Sequence, residues 1–422
     1  MTKIVVIGGS SVGTPALVSA LLTQFTASPT SAITLTLHGR NPQKLAPVVR
    51  TAQLLAQGQE WLTVEGSTDL PQALDGATYI VNQVRVGGLA ARADDETFPL
   101  TLGLLGEETV GAGGFANAMR TVPAVVQIAH KIERYAPNAL LLSFTNPASV
   151  IQYAVTQTTR LKVIGLCDAA ITMTAQAAST LNCNPRELDI DYVGMHHFSF
   201  IPRIFRSGQD MTGAMLTNLE RIGSLDMDPD VVRTYGVLPT PYFKYFLHPD
   251  RMLARQRQQT QSRGAQLLDV EAKLLKDYAT LSGDALRGAV AQRSAKWYDA
   301  IIAPVLAALI EGRTQRFVLN IVNSEVVPWL PHDAIVETGC VMQAGRVFAA
   351  LPVDLVPISK DLMARIQLNC AYEQLVVEAA LDRNPAKALR ALLMNPLIPS
   401  ADAARAVIKH VFSTIDQPTA AM

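Results

Sequence analysis

KIVVIGGSSVGTP, residues 3–15, is the stretch whose reading decides the fold. Ile4 to Ile7 form an uninterrupted β-branched run, as expected of a strand buried on both faces. The run ends in a turn of small residues, Gly8-Gly9-Ser10-Ser11-Val12-Gly13, and Pro15 opens a segment with helical spacing to Thr23. Strand, glycine turn and helix in this order make the phosphate-binding turn of a doubly wound sheet. The glycines let a pyrophosphate approach the backbone, and the helix N-terminus faces it. Ser10 stands where the fingerprint has its second glycine, so Gly8, Gly9, Ser10 and Gly13 are candidate cofactor residues on an imperfect motif.

Working outward, the same strand rhythm recurs in ITLTLH (33–38), TYIVNQV (78–84), ALLLSF (139–144) and KVIGLC (162–167), with helical segments such as Val122 to Tyr135 between them. Apolar strands alternating with crossover helices predict a parallel sheet. After about residue 190 the pattern changes: DYVGMHHFSFIPRIF (191–205) reads as strands, and Val270 to Leu281 and Leu362 to Leu381 read as long helices. The expected architecture is α/β, an N-terminal Rossmann-type doubly wound domain at 1–190 with a mixed α+β domain at 191–422. At 422 residues the chain exceeds what one core usually fills.

Lys+Arg and Asp+Glu balance at 36 each, which argues against a polyanion partner and so against nucleic acid. The N-terminus reads as a strand and not as a secretory signal, no window looks like a membrane span, and the four cysteines form no CxxC pair. A soluble, cytoplasmic protein without a membrane partner is expected.

Three places carry candidate chemistry. Cys167 closes a strand and precedes Asp168 at a helix start, where the positive helix end favours the thiolate that binds metal. His196-His197 lies in an alternating stretch, so one ring should face a cavity. One Cys and one His make a sparse, open site suited to a catalytic divalent ion such as Mn²⁺. Arg85 and Arg92 follow a strand end, where guanidinium forks hold phosphate. At the end of the second strand, where an acid commonly meets the adenosine ribose, the chain has His38-Gly39-Arg40, and Arg40 could meet a 2′-phosphate instead. That leaves both NAD and NADP open.

The ordered series GGSSVGTP (8–15), VRVGGLAARADDE (84–96), LGLLGEETVGAGGFANAMRTVP (102–123), SFTNPASV (143–150), VIGLCDAAI (163–171), YVGMHHFSF (192–200), PTPYFKYF (239–246), LPHDAIVE (330–337) and NPLI (395–398) resembles the family-four glycoside hydrolases, nearly end to end. The resemblance is strongest to the 6-phospho-glucosidases. It implies a malate/lactate-dehydrogenase-like architecture, an NAD cofactor and a divalent metal, with Mn²⁺ the expected ion, and hydrolysis of 6-phospho-glucosides of either anomer. The chemistry it implies is transient oxidation at C3, C2 deprotonation and elimination. It makes Cys167 and His197 the metal ligands, Tyr242 the base and Asp168 the acid, and it puts Arg92, Glu108 and Asn146 around the sugar. It also implies a homodimer or homotetramer. His196 departs from the pattern, which usually has Asn there, as do Ser10 and Gly39. Two alternatives stand beside this reading: a 2-hydroxy-acid dehydrogenase of the malate/lactate type, and a family-four glycosidase for a sugar that is unphosphorylated or otherwise anionic.

Overall fold

A computed structural model describes residues 1–415 except 224, 294 and 350–357, so the last residues of the expected second domain, 416–422, lie outside the described residues. Six strands open the chain: β1 (Thr2–Ile7), β2 (Ile33–His38), β3 (Leu62–Ser67), β4 (Tyr79–Asn82), β5 (Leu140–Ser143) and β6 (Lys162–Gly165). They are parallel and ordered β3-β2-β1-β4-β5-β6, the doubly wound order, which reverses direction between β1 and β4. The helices are α1 (Pro15–Gln24), α2 (Pro42–Ala56), α3 (Leu70–Leu74), α4 (Gly88–Thr101), α5 (Gly111–Tyr135), α6 (Ala148–Thr158) and α7 (Ala169–Leu181).

Alternation along β1 sends Ile4 and Val6 into one core and Val5 and Ile7 into the other. Burial of each such side chain stabilises by roughly 1.5–3 kcal/mol, so a strand covered on both faces is anchored twice. The sequence reading missed β3. Only Leu62 and Val64 turn inward from LTVEGS, the alternating pattern of an edge strand and not the apolar run of a central one.

The second half extends the same sheet. Its strands are β7 (Leu188–Ile190), β8 (Val193–Met195), β9 (Phe198–Ile201), β10 (Ile204–Arg206), β11 (Gln209–Asp210), β12 (Leu238–Pro239), β13 (Gln315–Val322), β14 (Ile335–Gln343) and β15 (Arg346–Ala349). β13 joins β6 antiparallel through Asn320 and Gly165, and β14, β8, β9 and β12 follow in order, while β7, β10 and β11 form a small separate sheet. Helices Lys360–Asp382, Pro385–Met394 and Ala401–Ile415 return to the first half, where Val376, Leu392 and Val407 share a core with Val5 and Phe115. No helix among the described residues is long and apolar enough to cross a membrane.

Helix α5 starts at Gly111, eleven residues before the predicted start at Val122. The glycines of GAGG open the helix because its first turn presses on backbone. A Cβ on Gly113 would lie 2.2 Å from the Asp95 carbonyl oxygen and 2.3 Å from that of Glu107. This close seat fixes the segment Glu107 to Val110 over the carboxyl edge of the sheet.

A candidate metal centre beside the nucleotide turn

At the nucleotide turn, Gly8 has φ +88° and a Cβ on Gly9 would meet the backbone of Leu37 and His38 at 2.9 Å. Both positions need glycine. Gly13 has ordinary contacts, with nothing nearer than 3.5 Å to a Cβ placed there. The Gly8 and Gly9 amides donate to the His38 carbonyl, while among the described residues those of Ser10 and Val12 find no partner. Two unpaired amides before a helix N-terminus fit an anionic phosphate. The replacements at 10 and 39 are complementary, since a Cβ on Gly39 would come within 2.8 Å of the Ser10 Cβ. Arg40 is exposed at the end of β2 and bonds to nothing among the described residues.

Four segments converge at the other end of the edge. Cys167 follows β6 and accepts from the Ala169 amide at 3.4 Å, at the start of α7. The amides at the start of α7 favour the thiolate, as the sequence leads one to expect, but in the protein alone other influences outweigh them. Burial, then the charges of Glu337 and Asp168, push the Cys167 thiol well above its ordinary range, and the two helix amides offset this only in part. A bound cation would be needed to hold it as thiolate.

The paired histidines also correct the strand expectation. Met195 pairs with Phe198 across β8 and β9, which makes His196-His197 the two-residue turn of a hairpin. His197 has φ +61°, and both rings stack on the same side, 3.7 Å apart with planes 23° from parallel. Alternation fails because a turn, not a strand, carries them. One donor atom from each of Cys167, His196 and His197 lies within 4.8 Å of the others, all three buried. Burial lowers the pKa of both rings, His196 to about 3, so each is neutral and able to ligate.

Thr109 fixes the tautomer of His197. Its hydroxyl lies 2.6 Å from a Glu107 oxygen and 2.9 Å from His197 Nδ1. Since the carboxylate takes the hydroxyl proton, the hydroxyl accepts from Nδ1–H, and the Nε2 lone pair is left free for a metal. Glu107 also receives the amides of Thr109 and Val110 at 2.6 and 3.0 Å. Burial, then its neighbour Glu108, push its carboxyl up to about 7. The sequence reading passed over Glu107 and Thr109, and no local pattern distinguishes them.

The Tyr242 ring stacks on His197 at 3.4 Å, 12° from parallel, carried there by a single helical turn at Pro241–Phe243. Burial is the main cause that raises its phenol well above 10, with Glu107 and Cys167 adding to it. Asp168 caps α7 without a side-chain hydrogen bond, and burial raises its carboxyl. Glu108 pairs with Arg85, and with Arg92 at 2.9 Å, while Arg92 also holds Glu96 at 2.7 Å. Asn117 donates to the carbonyls of Glu108 and Asn146 at 3.0 and 3.3 Å, which ties Asn146 to this group. Burial lowers the Arg293 guanidinium, and nearby Arg263, Arg92 and Arg85 push the same way. Sequence reasoning did not single out Arg263, which opens a helix at Arg263–Thr280, or Arg293, distant in sequence but with its Cγ 3.6 Å from where a Cβ on Gly13 would stand.

A doubly wound sheet with phosphate-ready amides at one end of its carboxyl edge and a buried thiol–imidazole cluster at the other defines a dinucleotide-fold enzyme with a metal-competent crevice. The profile of the family 4 glycosyl hydrolases matches residues 3–183, and that of their C-terminal domain matches 192–398. The chain belongs to this family. It is similar to a 6-phospho-beta-glucosidase of Escherichia coli, 28% identical over 94% of this chain and 92% of the relative. A phospho-alpha-glucosidase of Clostridium acetobutylicum is 25% identical over 97% and 96%. The solved structure of the 6-phospho-beta glucosidase from Thermotoga maritima, with manganese, NAD⁺ and glucose-6-phosphate, superposes with a TM-score of 0.86 at 27% identity and covers 98% of both chains. Malate dehydrogenase from Plasmodium falciparum shares the fold alone, with a TM-score of 0.53 at 12% identity over 90% of this chain and 99% of that one.

Proposed function

We propose that this chain hydrolyses 6-phospho-glucosides, α or β, with NAD and a divalent ion, Mn²⁺ among the candidates, and that it does so in the cytoplasm as a homodimer or homotetramer of two-domain subunits divided near residue 190. The observation that carries the reading is the stack of Tyr242 on His197 beside Cys167, a base candidate held against a metal-competent pair. The unpaired amides at Ser10 and Val12 support a dinucleotide, and the relatives of known structure hold NAD. Arg85 and Arg92, gathered on Glu108, support a phosphorylated sugar.

When bound, the nicotinamide would take up and return hydride at C3, and the ion would polarise the sugar oxygen there. The chain's own residues do the rest. Tyr242 removes the C2 proton, Asp168 with its raised carboxyl protonates the leaving oxygen at C1, and Asn146, Arg92 and Glu108 orient the sugar. Burial raises the Tyr242 phenol in the protein alone, and a cation held by Cys167 and His197 would bring it down. Hydrolysis of α- and β-linked nitrophenyl glucosides, with and without 6-phosphate, in heavy water tests the reading. Deuterium at C2 with the original hydrogen kept at C3 is expected; release of product without C2 label, or full activity after chelation, rejects it.

A further inference from the structure

We propose that His196 is a third protein donor to the ion held by Cys167 and His197, giving this chain a site of one sulfur and two imidazole nitrogens. The inference rests on the metal reading above. It starts from the hairpin: because His196-His197 is the turn between paired Met195 and Phe198, both rings emerge on one side, toward Cys167. A positive φ at a non-glycine residue costs energy, and here it is spent at the one residue that brings the second ring alongside the first.

The hydrogen bonding of the two rings differs. His197 is held by Thr109, whereas His196, only 5% exposed, makes no hydrogen bond with any described residue. An imidazole without a protein partner keeps a nitrogen lone pair available, and a metal ion is a partner that needs no proton. Ligand atoms around one tetrahedral ion at 2.0–2.3 Å stand about 3.3–3.7 Å apart, close to the 4.8 Å within which these donors already lie, and rotation of the rings about Cβ–Cγ would open the stack. His196 and His197 both line a cavity of about 30 Å³ with Glu373, Asn369 and Asn395, room for a water that would hold a second imidazole nitrogen.

The chemistry of such a donor set differs from that of one imidazole and one thiolate. A second nitrogen raises affinity along the usual divalent order, more for Co²⁺ and Zn²⁺ than for Mn²⁺, and leaves one position fewer for sugar oxygens. The metal-stripped full chain and its His196→Asn variant are titrated with Co²⁺ and with Mn²⁺. Both should show the thiolate-to-cobalt charge-transfer band. The intense visible bands of low-coordinate cobalt should appear in the wild type alone, and the Co²⁺ to Mn²⁺ affinity ratio should fall roughly tenfold or more in the variant. Pulsed electron paramagnetic resonance on the Mn²⁺-loaded wild type supplies a count that needs no variant: two imidazole nitrogens are expected. One nitrogen, or an unchanged affinity ratio, overturns the role of His196 and leaves Cys167 and His197 standing. No binding of either ion by the wild type overturns both.

Discussion

The nucleotide turn and the thiol–imidazole corner share one edge of one sheet, yet they are built in opposite ways. The turn is a contiguous run of six residues whose needs are backbone needs, a positive φ at Gly8 and bare Cα approach at Gly9. The corner draws Glu107 and Thr109, Cys167, His196 and His197, and Tyr242 from four separate segments, and its needs are burial and hydrogen-bond orientation. A binding function can be supplied by local backbone, whereas proton and metal chemistry requires side chains that only the folded topology brings together.

If that division is real, damage at the corner should spare cofactor binding. Tyr242→Phe is expected to lower turnover by roughly 10²–10⁴-fold, the span typical of a lost general base, and to abolish C2 exchange while the NAD dissociation constant stays put. Near-normal turnover would remove Tyr242 from the mechanism, and weakened NAD binding would break the separation of the two regions. Thr109→Val tests orientation alone. It deletes the hydroxyl between Glu107 and His197, and metal affinity should fall roughly 10–100-fold with NAD binding again unchanged, as isothermal titration would show.

The reverse experiment is at the turn. We expect NAD to bind more tightly than NADP, and Arg40→Ala to weaken NADP about tenfold while NAD changes within about twofold, because a charge-assisted bond to a phosphate is lost in one case only. A variant that loses both cofactors equally would make Arg40 a general anchor.

Acidity separates the regions by the smallest margin. Burial pushes Glu373 up to about 8, so the folded protein binds this proton more tightly than the unfolded chain. The resulting stability is complete below the ordinary glutamate range and is lost as pH rises through 8. Glu373→Gln should therefore lose less stability than the wild type between pH 6 and pH 9, by about 2–3 kcal/mol or roughly 3 °C in melting temperature. Parallel melting curves for the two proteins would exclude the buried acid as the cause.

What was readable from sequence follows the same line. Strands β1, β2, β4, β5 and β6 were legible because both-face burial forces apolar runs, whereas β3 escaped as a half-exposed edge and the start of α5 was hidden by its glycines. Cys167 and Asp168 stood out because a strand end in this fold faces the crevice. The partnership of Thr109 with His197 spans 88 residues of chain and has no periodicity to betray it. His196 was misjudged for a different reason: a two-residue turn inside an alternating stretch looks like two more strand residues, and only the Met195–Phe198 register reveals it.

The contact between Ser10 and the bare Cα of Gly39 sets an order on what this lineage can become. An acid at position 39, the usual receiver of the adenosine ribose, would place its Cβ 2.8 Å from that of Ser10. Gly39→Asp alone is therefore penalised by collision, while Ser10→Gly first clears the space and lets the acid follow. The two sites form a ratchet in which the serine must leave before a ribose ligand can enter, and a double-mutant cycle on these two positions would read its tooth directly.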